Sequence, residues 1–176
     1  MRFFGRFFEN PSGLVGSMVQ FSLANGFVYG LCTHDKGRSG QIIKMYAPTF
    51  SNKQTNMKAF RNIKARTLIH FGLKYALSQP EINIVGTAKL TKEEARESKF
   101  RSLGLSVPGE IPKGWWIIDG EKETWVDELS RKMAYYPDDG FPNLAFIEDM
   151  YPRDLYPYSK GLLARGPLGF DPDQVH

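Results

Sequence analysis

The dipeptide Asn25-Gly26 constrains this chain more than any other feature, because of what flanks it. Upstream, Val15, Ser17, Val19, Phe21 and Leu23 alternate with Gly16, Met18, Gln20 and Ser22 at a period of two. Downstream the chain returns as FVYGLCTH. Asn-Gly tolerates the positive φ angles of a tight turn, so two such runs joined by it form the strongest short-range hairpin signal. After a loop, DKGRSG, the run QIIKMYA reads as a third strand that Pro48 ends. Three consecutive antiparallel strands make a meander, the basis of many small barrels and curled sheets.

The rest of the chain adds shorter elements. Met57, Phe60 and Ile63 recur at a spacing of three, which predicts one or two helical turns or a loop curled over the sheet. TLIHFGLKYAL (67–77) is rich in β-branched and aromatic residues and reads as a strand, as does EINIVGTAKL. Thr91 and Glu94 form a capping box, which predicts a helix of about three turns over TKEEARESKFRSL. In GWWIIDG, a strand would set Trp115, Ile117 and Asp119 on one face and Trp116 and Ile118 on the other. We expect Trp116 and Ile118 to point into a core and Trp115 to cover its edge. Asp119-Gly120 turns the chain into a partner strand, KETWV. DELSRKMAYY is helical or extended, and NLAFIEDMY is a short helix confined by Pro142 and Pro152. The expected fold is α+β: a strongly bent antiparallel sheet, SH3-like or small-barrel-like, with one or two short helices. Residues 1–12 would be an N-terminal segment, 13–165 a single domain and 166–176 an extended tail.

Composition and charge bound the function. The 176 residues are 41% hydrophobic, enough for a sizeable core, yet no window approaches the ~18 apolar residues of a membrane span. The N-terminus MRFFGRFFENPSG lacks the apolar run of a signal peptide, so the expectation is a cytoplasmic protein with no membrane association. The single cysteine, Cys32, excludes an internal disulfide and reads as a small buried hydrophobe. The net charge of +4 is unevenly spread: residues 1–89 carry 12 Lys/Arg against 3 Asp/Glu, and residues 90–176 carry 11 against 16. Such asymmetry provides a basic face for an anionic partner, or two halves that pair with each other.

Catalytic patterns are missing from the sequence. Three histidines and one cysteine hold no zinc-site spacing, and neither a nucleophile elbow nor a phosphate-binding loop occurs. Thr33-His34-Asp35 is polar, but neighbours on a strand face opposite sides, and a relay needs convergence in space. We therefore expect no enzyme activity, cofactor or metal. Nucleic-acid binding is the alternative: Lys53, Lys58, Arg61, Lys64 and Arg66 would neutralise phosphates while Tyr46, Phe50, Trp115 and Trp116 supplied rings. The acidic run Asp119, Glu121, Glu123, Asp127 and Glu128 beside the tryptophans opposes that reading.

The order of features resembles one family. GSMVQFSLANGFVYGLC, then GQIIKMYAPTF, INIVGTAKL, a loop with Pro108 and Pro112, and finally WWIIDG are similar to the strand order of bacterial polymorphic-toxin immunity proteins, the immunity protein 26 family. The resemblance covers about residues 13–120 and leaves the last ~50 outside it. It implies a cytoplasmic α+β protein that binds and neutralises a cognate toxin domain by steric occlusion, with no reaction of its own. Antidotes to nuclease toxins are often acidic; this chain is net basic, with acids concentrated in its second half. Candidate contact residues, taken from aromatic and acidic clusters, are Trp115, Asp119, Glu121, Glu123, Tyr135, Tyr136, Asp138 and Asp139.

Overall fold

The Asn-Gly signal is realised as a two-residue turn. β1 (Ser17–Leu23) and β2 (Gly26–Asp35) pair antiparallel down to Leu23↔Gly26, so Ala24 and Asn25 form the loop and Gly26 opens the return strand. At Gly26 φ is 131°, and a Cβ there would lie 2.3 Å from the Phe50 carbonyl oxygen. Both the conformation and the space require glycine. The structure, a computed structural model, describes residues 13–140, 142–151 and 160–174; the expected segment 1–12 lies outside them.

β3 (Gln41–Tyr46), β4 (Ala65–Phe71) and β5 (Ile82–Thr87) complete a five-stranded antiparallel sheet of order β4-β3-β2-β1-β5. Bulges at Met18/Val19, Cys32/His34 and Met45/Tyr46 bend it, since an extra residue on one strand increases local twist. Both faces are covered. On one, Val19, Phe21, Val28, Cys32, Ile43 and Ile69 meet α1 (Leu73–Ala76) and α2 (Leu144–Met150). On the other, the 3-10 turn Met57–Asn62 lays Phe60 against Tyr29 and Tyr46, with ring centroids 4.7 and 5.4 Å apart. The run 67–77 is a strand only to Phe71. Gly72 ends it and begins α1, so Leu73 and Ala76 enter the core from a helix.

The expected helix over 91–103 is replaced by a turn and a strand. The capping box does form: Glu94 N donates to Thr91 Oγ1 (3.2 Å) and Thr91 N to Glu94 Oε2 (2.9 Å). One turn later the chain extends into β6 (Lys99–Leu103), where Phe100 and Arg101 are buried by pairing with β7 (Trp115–Asp119). A single turn cannot offset the cost of helix nucleation, and the sheet offers every backbone group a partner. β8 (Lys122–Val126) follows β7 through Gly120-Glu121, giving a second sheet of order β6-β7-β8.

Residues 129–136 and 163–170 cover one face of this sheet. Leu129, Ala134 and Leu163, the last from α3 (Lys160–Leu163), pack on Trp115 and Ile117 together with Leu168 and Phe170. The segment expected as a tail after residue 165 is thus part of a core: Leu129 N donates to Pro167 O and Gly169 N to Leu129 O. The fold is α+β and antiparallel; among the described residues its strands are divided between two sheets and its α-helices are three short ones. Among the described residues no helix is long and apolar enough to cross a membrane.

The two sheets meet along the second half of β2. Lys44 Nζ pairs with Glu94 at 2.8 Å, Lys36 pairs with Glu97, His70 Nδ1 lies 2.9 Å from Asp139 Oδ1, and the His70 and Phe100 rings are 4.4 Å apart. Part of the charge asymmetry in the sequence is consumed in this way, basic first half against acidic second half.

Candidate interaction surface

The register of β6-β7-β8 decides which tryptophan is inside. Leu103, Trp115 and Val126 form one cross-strand row, and Ser102, Trp116 and Trp125 the next. Only the first row is apolar on all three strands, and residues 129–136 and 163–170 cover it. Trp115 is 1% exposed and its Nε1 donates to Pro167 O at 2.9 Å. Gly166 lies so close that a Cβ there would sit 2.7 Å from the indole. The expected arrangement is therefore reversed: Trp115 is core and no surface anchor, while Trp116 is 37% and Trp125 38% exposed.

Trp116 and Trp125 pack edge-to-face, centroids 5.1 Å apart at 70°. They are directly opposite each other in a two-residue hairpin. There the closing pair Asp119↔Lys122 shares hydrogen bonds and alternate pairs do not, so Trp116↔Trp125 is a non-bonded pair whose side chains approach closely. The Trp125 ring spreads over Gly104 and Gly114, where any Cβ would come within 2.6 Å of it. Those glycines are the two ends of the loop between β6 and β7, closed by Gly104 N donating to Gly114 O at 3.0 Å. From this base the loop holds out Leu105, Val107 and Ile111, which are 100%, 62% and 80% exposed. Two rings and three aliphatic side chains thus share one end of the small sheet. Sequence reasoning named none of the five as a partner contact and offered Trp116 only as a ring for nucleic acid; the two glycines bracketing a loop with three aliphatic residues were the available signal.

The other candidate residues separate. Glu121 and Glu123 are exposed; Glu123 neighbours Trp125 on one face of β8, whereas Glu121 lies in the β7–β8 turn at the opposite end of the sheet. Asp119 is held by Lys99 at 2.8 Å, and that hydrogen bond and charge raise the Lys99 ammonium above its ordinary pKa. Tyr135 is 38% exposed, whereas Tyr136 packs against the core around Trp115 and Leu129. Asp138 and Asp139 are half-buried, and Asp139 lines the cleft between the sheets. Burial pushes the Asp138 carboxyl up in spite of Arg101 and Arg165 nearby, and Asp139 ties the second sheet to His70.

The basic stretch does not assemble a stacking site. Arg66 lies over the Tyr151 ring at 4.4 Å and Lys53 over Phe27 at 5.7 Å, while Lys64 is exposed. The side chains of Lys58 and Arg61 lie outside the described residues. Tyr46 is buried and Phe50 packs edge-on against Tyr29, so these rings belong to the core.

Between the sheets runs a cleft of about 740 Å³, lined by His34, Asp35, His70, Phe100, Ile118 and Glu123 among others. The bulge in β2 alters the expectation for Thr33-His34, because it brings Thr33 Oγ1 to 3.0 Å from His34 Nδ1. His34 Nε2 faces Ala95 O at 3.2 Å. A carbonyl only accepts, so Nε2 carries a proton and donates to Ala95 O, while Thr33 Oγ1 gives its own proton to Ile42 O at 3.3 Å. His34 is thereby a strut between the sheets. Among the described residues no three His, Cys, Asp or Glu side chains converge as a metal site.

No family model, curated protein or solved structure matches this chain.

Proposed function

We propose that this chain is an immunity-type protein that binds a cognate toxin domain and blocks it sterically, catalysing nothing itself. The observation that carries the reading is the exposed apolar group of Trp116, Trp125, Leu105, Val107 and Ile111 at one end of the second sheet. Large aromatic side chains clustered with aliphatic ones, and rimmed by charge, have the composition of a protein-binding hot spot. The two tryptophans are already fixed against each other and against Gly104 and Gly114, so little side-chain entropy is lost on docking. The acids Glu123, Asp127 and Glu128, which flank Trp125 in sequence, steer a toxin surface of positive charge toward the indoles. The resemblance of residues 13–120 to immunity proteins supports the nature of the partner. The nucleic-acid alternative receives less support, because Tyr46 and Trp115 are core and Trp116 stands among acids.

The test is co-expression with the protein encoded immediately upstream, scored by co-purification and by rescue of growth. The wild-type chain is expected to do both. A variant combining Leu105→Asp with Ile111→Asp, two positions without packing partners to lose, is expected to fold with an unchanged circular dichroism spectrum and to fail at both. Rescue by that variant, or no complex with the wild type, overturns the reading. Salt-sensitive binding to single-stranded nucleic acid that disappears in Lys53→Glu plus Lys64→Glu would put the alternative in its place.

A further inference from the structure

The second sheet has two edges, and they are treated differently. Gly104 N bonds Gly114 O, so Gly114, Trp116 and Ile118 of β7 bond toward β6, and Trp115, Ile117 and Asp119 toward β8. On β6 the residues facing away from β7 are then Lys99, Arg101 and Leu103. Arg101 is taken: its N donates to Pro137 O at 2.9 Å and its carbonyl accepts from Asp139 N at 2.7 Å. Segment 137–139 closes that edge.

On β8 the same alternation turns Lys122, Thr124 and Val126 toward β7, and the backbone N–H and C=O of Glu123 and Trp125 outward. Among the described residues no strand pairs with that side of β8. The chain bends at 127–128, and only beyond it, at Leu129, does segment 167–169 take up the outward backbone groups. Four donors and acceptors on Glu123 and Trp125 are therefore presented in a row beside the exposed indoles.

We propose that β8 is a strand-addition site, and that its occupant is an extended, cationic segment of the partner protein; this rests on the protein-binding reading above. Charge selects the occupant. Residues 119–128, DGEKETWVDE, hold five acids and one lysine. A second copy is disfavoured: outward groups at 123 and 125 permit a two-fold antiparallel pairing about Thr124, which sets Glu121 opposite Asp127, or one about Glu123, which sets that carboxylate against its own copy. Like charges directly opposite are destabilising. Acids on an exposed edge guard it against self-association while leaving it open to a strand of opposite sign. The side chains of Glu123 and Trp125 share a face, so the incoming strand carries a Lys or Arg and an apolar residue two positions apart on that face.

The probe is a capped six-residue peptide, threonine-valine-threonine-lysine-threonine-lysine, compared with the same peptide carrying glutamate for lysine. Binding to the full chain is followed by amide exchange and chemical shifts. The lysine peptide is expected to slow exchange at the Glu123 and Trp125 amides about tenfold at saturation, with weaker binding at high salt. Glu123→Pro removes one outward N–H and leaves the ladder to β7 intact, since proline is tolerated where the N–H faces solvent. It is expected to weaken the peptide at least about tenfold, and Glu123→Gln only about two- to fivefold. Equal binding of both peptides, undiminished binding to Glu123→Pro, or protection at other strands instead overturns the proposal. So does a free protein that sediments as a dimer with these amides already slow. In the co-expression assay, growth rescue by Glu123→Pro at the wild-type level refutes strand addition and leaves the partner reading standing. Failure of the wild type removes the partner reading, and the peptide result then judges the edge alone.

Discussion

Replacing Trp115 and Trp116 separately by alanine tests the central packing assignment, because the two neighbours differ only in which face of β7 they occupy. A fully buried tryptophan removes about 200 Å² from water, at about 25 cal/mol per Å² roughly 5 kcal/mol as an upper bound. Trp115, 1% exposed, realises nearly all of this and also hydrogen-bonds Pro167 O. Trp115→Ala is therefore expected to destabilise by about 4 kcal/mol, within the range of Trp truncations in cores. Trp116, 37% exposed, keeps about 60% of that area from water, an upper bound of about 3 kcal/mol. Water refills its site, so about 1–2 kcal/mol is expected. Urea unfolding followed by circular dichroism should place the two midpoints about 1 M apart, taking a slope near 2 kcal/mol per M. Trp115→Phe, which keeps a ring and loses the hydrogen bond, supplies a folded reference if the alanine variant is too unstable. Equal losses, or a larger loss at Trp116, would refute the facing derived from the register.

Other consequences are equally direct. Gly30→Ala sets a Cβ 2.5 Å from Ile43 Cγ2 and 3.0 Å from Met45 Sδ, and is expected to cost about 1–3 kcal/mol in thermal or urea unfolding. Cys32 is buried, and that burial with Asp35 nearby pushes its thiol up to about 12, so thiol reagents at pH 8 should label it only as fast as the protein unfolds. With the folded thiol raised, stability falls as the pH climbs through the ordinary thiol range, a decline that Cys32→Ala should lack. Partial burial works against the Glu94 carboxylate, yet hydrogen bonds from Lys44 and Thr91 lower it overall. Its contribution is complete above the ordinary carboxylate range and is lost as the pH falls through the lowered value. Glu94→Gln should therefore cost about 1 kcal/mol near neutral pH and less in acid, read from unfolding midpoints at several pH values.

The elements legible in the sequence are those whose determinants are local. Asn25-Gly26 with its alternating flanks, Pro48 after β3, and Asn143, whose side chain caps α2 by accepting from Phe146 N, each act within a few residues. The errors occur where a distant segment decides. Thr91 and Glu94 speak for a helix and their hydrogen bonds form, but Lys99–Leu103 is claimed by β7 across an intervening loop. The orientation of Trp115 and Trp116 is undecidable on β7 alone, where both faces carry an indole and an isoleucine. It is set by Leu163, Pro167 and Leu168, about 50 residues later. The interaction surface was hidden for the same reason, since Trp125 became visible as its centre only when Gly104 and Gly114 met beneath it. Asp138 and Asp139, attractive as an acidic pair in a turn, proved to be struts because His70 and Arg101 lie against them.

The closure of the second core by residues 163–170 has a consequence for synthesis. The five strands of the first sheet lie within residues 17–87 and can pair as soon as they leave the ribosome, helped by short connections. Trp115 and Ile117 are covered only in part, by Leu129 and Ala134, until Leu163 and Leu168 arrive about 50 residues after Trp115. At about 5–20 residues per second, that is a delay of about 2.5–10 s. During it the nascent chain displays its inner tryptophan face as well as its outer one, and is open to chaperones and wrong partners. A stop codon placed just before Leu163 should therefore yield a chain whose first sheet is folded and whose second sheet remains adhesive.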